Sequence, residues 1–150
     1  MPDLKEQLRA DLTTAMKSRD ELRTATLRMV LAAVSAEEVA GKQARELSDD
    51  EVQAVLRREA KKRREAAEAF AAAGRGEQAD RERAEGDVVA AYLPAQLDDA
   101  DLAAIVADVI TTTGATGMKD MGKVMGAANG VVAGRADGGR VAAEVRRQLG

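Results

Sequence analysis

An all-α fold is what this sequence predicts, and three observations carry that prediction. Apolar residues return every three or four positions, and nowhere alternate with polar ones over a strand's length. Capping residues, glycines and a proline punctuate those periodic stretches where helix ends belong. Alanine-rich runs such as Ala69 to Ala73 read as helix, because Ala is the best helix former.

Leu4, Leu8, Leu12 and Met16 recur at four-residue spacing and give the first helix one apolar stripe. Arg19-Asp20 breaks the pattern, with Asp20 placed to cap the next helix. That helix carries Leu22, Leu27, Met29, Val30, Leu31 and Val34; its apolar face is broad, as a central helix requires, and Gly41 is expected to end it. Ser48-Asp49-Asp50-Glu51 reads as a capping box opening a third helix, which runs to about Ala73 with a stripe of Val52, Val55, Leu56, Ala60, Ala67 and Phe70. After Gly74-Arg75-Gly76 a fourth helix is expected from about Gln78 to Tyr92, weakened by Gly86. Pro94 disfavours helix at Leu93 and separates these four helices from three shorter ones. The fifth, from Asp98 to about Thr112, is amphipathic through Leu102, Ile105, Val106, Val109 and Ile110. Thr113 to Gly117 is a loop with Thr116 near a helix start. The sixth helix carries Met118, Met121, Val124 and Met125 and stops at Gly134; Asp137 caps a seventh holding Val141, Val145 and Leu149. The expected organisation is a helical amino-terminal domain over 1–93 and a three-helix domain over 94–150.

Composition narrows the chemistry. The 150 residues carry a net charge of −3, so the overall field draws in neither nucleic acid nor acidic membranes, and polyanion binding needs a local patch. There is no Cys and no His, which removes disulfides, thiolate nucleophiles, imidazole bases and the commonest zinc ligands. The first residues lack a signal-peptide core and no apolar run approaches a membrane span, so a cytoplasmic protein is expected. The only serines are Ser18, Ser35 and Ser48, and the last is a cap. Carboxylate pairs such as Glu37-Glu38, Asp49-Asp50 and Asp98-Asp99 sit at helix ends, where capping and the helix dipole explain them. No catalytic residue, metal ligand or cofactor is assigned.

Charge is densest in Arg57-Arg58-Glu59-Ala60-Lys61-Lys62-Arg63-Arg64, where six of eight residues are cationic. On a helix Arg57, Lys61 and Arg64 share a side that Arg58 and Lys62 extend, a stripe able to follow a phosphate backbone. The plainer reading is a solvated face with Glu65 and Glu68 pairing at i+4. With so few aromatics, base stacking on single strands is disfavoured, and a folded RNA read by shape fits better. A sparser set follows Pro94: Lys119, Lys123, Arg135, Arg140, Arg146 and Arg147, diluted by Asp120, Asp137 and Glu144. Gly122, Gly126, Gly130 and Gly134 recur every four residues on one face of the sixth helix, where close backbone approach to another helix is expected. They form no phosphate loop, and Lys119, Asp120 and Lys123 exclude a membrane dimer motif. Met118, Met121 and Met125 are core by default, or an adaptable apolar surface for a protein partner.

Several strings carry a resemblance. Leu27-Arg28-Met29-Val30-Leu31-Ala32-Ala33, Lys62-Arg63-Arg64-Glu65 with Phe70 and Ala73-Gly74-Arg75, Tyr92-Leu93-Pro94-Ala95-Gln96-Leu97, Asp120-Met121-Gly122-Lys123-Val124-Met125-Gly126 and Gly134-Arg135-Ala136-Asp137-Gly138 together resemble the YqeY-like, or GatB/YqeY, family over nearly the whole chain. The carboxyl-terminal half is similar to the tail domain of the B subunit of the tRNA-dependent amidotransferase. The resemblance implies a compact three-helix second part and a non-catalytic adaptor that binds tRNA or a tRNA-bearing complex. Lys119, Lys123, Arg135 and Arg140 are the expected contacts, with Lys61, Lys62, Arg63 and Arg64 as a second set. One alternative is an accessory role in glutamine-dependent carbon–nitrogen ligation beside an amidotransferase; another, resting on Met118, Met121 and Met125, is a protein–protein module. The family's label as a ligase with glutamine as amide donor reads as inherited from the larger subunit. Asn129-Gly130-Val131-Val132 stands where the family usually has a proline-containing string with a lysine, so one phosphate contact is missing there.

Overall fold

The computed structural model describes residues 3–150. Among them are seven α-helices, one single-turn 3-10 helix and no strand. The chain divides into two compact units, Met1–Leu93 and Pro94–Gly150.

The first unit contains α1 (Leu4–Lys17), α2 (Glu21–Glu38), α3 (Asp49–Ala72) and α4 (Gly76–Ala90). Local chemistry sets most of their ends. Asp3, Asp20 and Ser48 each accept a hydrogen bond from the backbone N–H three residues on, and Glu51 completes a capping box at Ser48. Gly74, at φ 75°, turns the chain from α3 into α4, which starts at Gly76, two residues earlier than the sequence suggests. Leu8, Leu27, Val30, Val34, Val52, Val55, Leu56, Val88 and Val89 form the core. Thr26 is buried among them, and its hydroxyl is satisfied by the Leu22 carbonyl at 2.8 Å. Tyr92 lies just past α4 and donates its hydroxyl to Asp11 of α1. Burial, and then the Asp11 carboxylate, push that hydroxyl's pKa well above its ordinary value.

Two expectations for this unit fail. Met16 is 43% exposed, while Ala15 is buried in its place. A strict four-residue repeat gains about 40° of rotation per step, so its fourth member leaves the face that Leu8 defines; Ala15, seven residues from Leu8, returns to it. Helix α2 also ends at Glu38, before Gly41. There the Glu38 carboxylate accepts from Lys5 Nζ at 2.7 and 2.8 Å and from the Leu47 N–H at 3.3 Å, which draws the incoming loop across the helix end.

The second unit contains α5 (Asp99–Thr113), the 3-10 turn Met118–Asp120, α6 (Met121–Val132) and α7 (Gly138–Leu149). Each of the three α-helices packs on the other two. Asp98 and Asp137 cap α5 and α7, and Gly114 ends α5 in the left-handed region. Asp120 Oδ2 accepts from the Thr116 N–H at 2.9 Å, so the sixth helix begins with a 3-10 turn and becomes α-helical only at Met121. The core is Leu102, Val106, Val109, Val124, Ala128, Val132, Ala136, Val141 and Val145.

The glycine repeat overturns a further expectation. A Cβ built at Gly122, Gly126 or Gly130 meets nothing within 4 Å, so these glycines face open space and no helix lies against them. Val124, Ala128 and Val132 form the parallel four-residue repeat that is buried. The two repeats are offset by two residues, about 200° around a helix, so burying one exposes the other.

Candidate nucleic-acid interface

Of the four cations placed on α3, three face solvent: Lys61, Lys62 and Arg64 are exposed. Arg63 turns inward. Its side chain is 15% exposed and lies among three carboxylates: Glu59 Oε2 at 3.2 Å, Glu85 Oε2 at 3.5 Å and Glu82 Oε2 at 3.8 Å. It also contacts the Met29 sulfur of α2. Gly86 of α4 lies against its stem, where a Cβ would stand in ordinary contact 3.5 Å from Arg63 Cβ. Arg63 Nε and Glu82 Oε2 are buried without a hydrogen bond among the described residues, so the attraction there is between charges rather than through a shared proton. Arg63 therefore joins α3 to α4 and is withdrawn from the outward stripe. Glu59 pairs with Lys62 at 3.3 Å and Glu65 with Lys61 at 3.9 Å, which lowers the net charge this helix offers a polyanion.

The second unit treats its cations in another way. Lys123 Nζ donates to the Thr113 carbonyl at 2.8 Å, at the carboxyl end of α5. Arg135 donates through Nε to the Val132 carbonyl at 3.0 Å and through Nη2 to the Val131 carbonyl at 2.9 Å, at the carboxyl end of α6. Both charges sit where unsatisfied carbonyls and the helix dipole favour a cation. The Arg135 carbonyl in turn accepts the Leu97 N–H at 2.8 Å, which fixes the entry of α5 against this corner. Arg140 pairs with Asp99 at 3.0 Å, a carboxylate that is fully exposed. Lys119 is exposed and has neither an ion pair nor a side-chain hydrogen bond among the described residues.

Nearby carboxylates respond to these charges. The Asp120 pKa is held below the ordinary aspartate value, chiefly by the Thr116 N–H and then by Lys119 and Lys123. Hydrogen bonds from Arg147 and Gln148 hold Glu144 down to about 2. Gln148 also donates to the Ala103 carbonyl at 2.9 Å, so Glu144 helps join α7 to α5.

What gathers on one side of the second unit is the outer face of α6. Gly122, Gly126 and Gly130 are exposed there, and Lys123 falls on the same side of the helix, with Lys119 just before it. No side chain longer than hydrogen covers the helix at three positions, so a ligand can approach the helix surface closely. The sequence shows the glycine spacing; that the face is free depends on which neighbours α6 has. Beside it, a cavity of about 310 Å³ between α5 and α6 is lined by Ile105, Val109, Ala127 and Val131 among others. Val131 is 51% exposed and Met118 47%, while Met121 and Met125 pack partly buried against the core.

Among the described residues no group of three or more carboxylates could hold a metal ion, and no helix is long and apolar enough to cross a membrane. The family model described as Yqey-like protein matches residues 5–149, nearly the whole chain, and the chain belongs to that family. A comparison with curated proteins finds no match.

Proposed function

We propose that this YqeY-like protein is a cytoplasmic, non-catalytic adaptor that binds tRNA, or a complex carrying tRNA, through the outer face of α6. The observation that supports this most is the bare glycine face of Gly122, Gly126 and Gly130 beside Lys119 and Lys123. A phosphate backbone can lie close on such a surface, and the two ammonium groups flank it. Lys123 and Arg135 are already held by backbone carbonyls. Their charges thus add a fixed positive field rather than free arms, while Lys119 is the mobile contact. On the first unit Lys61, Lys62 and Arg64 remain outward and give that unit a contact of its own. The resemblance to the amidotransferase tail favours tRNA as the RNA and makes an amidotransferase a candidate partner.

The test is a titration with bulk tRNA at two salt concentrations, using Lys119→Glu and Gly126→Leu. Leu at an exposed helix position stabilises by about 0.5–1 kcal/mol relative to Gly, so Gly126→Leu should fold at least as well as the parent. We expect affinity that falls with salt and is reduced severalfold in both variants. Binding that ignores salt, or that survives both substitutions, rejects the proposal.

A second reading has one observation of its own: the apolar cavity at Ile105, Val109 and Val131, with Val131 half exposed, would suit a protein partner. It becomes the better account if tRNA fails to bind at low salt and Val131→Asp abolishes capture of an amidotransferase.

A further inference from the structure

Arg19 stands where a glycine is expected. Helix α1 ends at Lys17 with Ser18 as its cap, Arg19 follows at φ 58°, and Asp20 caps the start of α2. The Arg19 N–H donates to the Met16 carbonyl at 3.2 Å and the Asp20 N–H to the Ala15 carbonyl at 2.9 Å. This pair of bonds defines the helix stop whose left-handed residue is usually Gly, because any Cβ is strained there. The two backbone bonds hold the turn, and the side chain adds nothing to it. The Arg19 side chain is exposed and has no ion pair or hydrogen bond among the described residues.

The side chain instead faces a cleft of about 420 Å³ lined by Met16, Arg19, Glu21, Thr24, Ala25 and Arg28. Arg28 has no carboxylate partner either; its Nη2 rests 3.3 Å from the Met16 sulfur, a weak acceptor. The Thr24 hydroxyl makes no hydrogen bond among the described residues. Glu21 is the one anion on the wall, and Arg81 of α4 already grips it with two bonds of 2.8 and 3.0 Å. From 17 to 28 the chain holds four cations and two carboxylates, Asp20 and Glu21, and both carboxylates are engaged. Two guanidinium forks and a hydroxyl therefore line one open cleft with no carboxylate paired to them among the described residues. Elsewhere in the unit Arg45, Arg58, Arg63, Arg81 and Arg83 pair with carboxylates; Arg57 and Arg75 do not among the described residues, but neither lines this cleft.

We propose that the α1–α2 elbow binds a phosphate group through Arg19, Arg28 and Thr24. The planar fork of Arg fits two phosphate oxygens at once, and a hydroxyl supplies a third donor. The site lies on a different unit from the α6 face and stands whether or not that face binds RNA. Its phosphate is either a free phosphate group or one from an RNA backbone, two sources with the same recognition chemistry.

The backbone strain supplies an unusually clean test. Arg19→Gly removes the side chain at a position where Gly is the better residue, so lost binding cannot be ascribed to lost folding. The full chain, labelled for amide NMR, is titrated with inorganic phosphate, with a short RNA duplex and with polyglutamate. Arg19→Gly, Arg28→Ala and Lys119→Glu run alongside. Saturable shifts confined to about residues 16–28 with phosphate or duplex support the site, and saturation by the duplex alone assigns its source as RNA. We expect at least a fivefold loss of affinity in Arg19→Gly with a melting temperature equal to or above the parent's. Unchanged binding in Arg19→Gly, no shifts at the elbow with either probe, or equal response to polyglutamate would overturn the proposal. Lys119→Glu should weaken the duplex at α6 and leave the elbow shifts intact, which separates failure here from failure of the α6 reading.

Discussion

Two helical pairs within one unit use arginine in opposite ways. Between α3 and α4, Arg63 is enclosed by Glu59, Glu82 and Glu85, and its charge is consumed in joining the helices. At the elbow between α1 and α2, Arg19 and Arg28 face solvent and pair with no carboxylate among the described residues, since Glu21 beside them is held by Arg81. The denser cluster in sequence thus contributes fewer available charges than its composition suggests, and the sparser one is left open. Local density of cations measures how often a helix presents charge. Whether that charge can meet a ligand depends on what the neighbouring helix carries opposite it.

The strongest way to break this comparison is to remove one arginine from each side. Arg63→Ala leaves three carboxylates converging on an empty space, and losing one partner of a buried ionic group costs about 3–5 kcal/mol. Since Arg63 retains some solvent contact, we expect about 3 kcal/mol in urea unfolding. Arg28→Ala breaks no ion pair and should stay within about 0.5 kcal/mol of the parent. Equal losses in the two variants would show that Arg63 is no more a structural residue than Arg28.

How far the sequence reveals this follows from the range of each interaction. Asp20, Ser48, Asp98 and Asp137 are legible as caps because each bonds to an N–H three residues away, a contact the chain makes with itself. The apolar stripes are legible for the same reason, except where a repeat of four drifts off its face and leaves Met16 exposed. Arg63 is legible only in part: seven residues after Leu56 and four before Ala67, it falls on the buried stripe of α3, but the sequence does not say what it meets there. Its partners Glu82 and Glu85 arrive only once α4 has folded back along α3. The glycine face lies between these cases. Its outward direction follows from the offset to Val124, Ala128 and Val132, a signal present in the sequence but masked by the usual association of glycine repeats with helix contact.

The opposite end of the α1–α2 pair sharpens the contrast, because it is closed where the elbow is open. Lys5 and Glu38 meet there at 2.7 Å, with side chains only 16% and 13% exposed. The Lys5 hydrogen bond, above all, holds the Glu38 carboxyl below its ordinary pKa, with the Leu47 N–H contributing. A group whose folded pKa is depressed stabilises the fold above its unfolded value and loses that contribution as pH falls through the folded one. Stability of the first unit should therefore decline as the solution is acidified below the ordinary glutamate range. Glu38→Gln should lower stability at neutral pH by less than Arg63→Ala does and reduce the acid dependence. Urea midpoints measured from neutral to acidic pH would test this; an unaltered acid slope in the variant would assign the dependence to other carboxylates.

The smallest expected effect is also the most discriminating. Among the described residues two that are not glycine lie in the left-handed region, Arg19 at φ 58° and Ala133 at φ 49°. Ala133 caps the carboxyl end of α6, is exposed, and has only a methyl group to offer a ligand. Replacing either residue by Gly relieves the Cβ strain but widens the unfolded ensemble, a net gain of about 0.5 kcal/mol in each case. The two variants thus match in mechanism and size, and thermal melts should show similar small increases for both. They should part company only in phosphate binding, which Arg19→Gly loses and Ala133→Gly keeps. If both retain it, the strain at Arg19 is a tolerated defect like that at Ala133, and the open elbow is only a solvated turn. If Arg19→Gly alone loses it, the strain is maintained for a contact outside the fold, and the unpaired arginines differ from Arg63 in purpose as well as in surroundings.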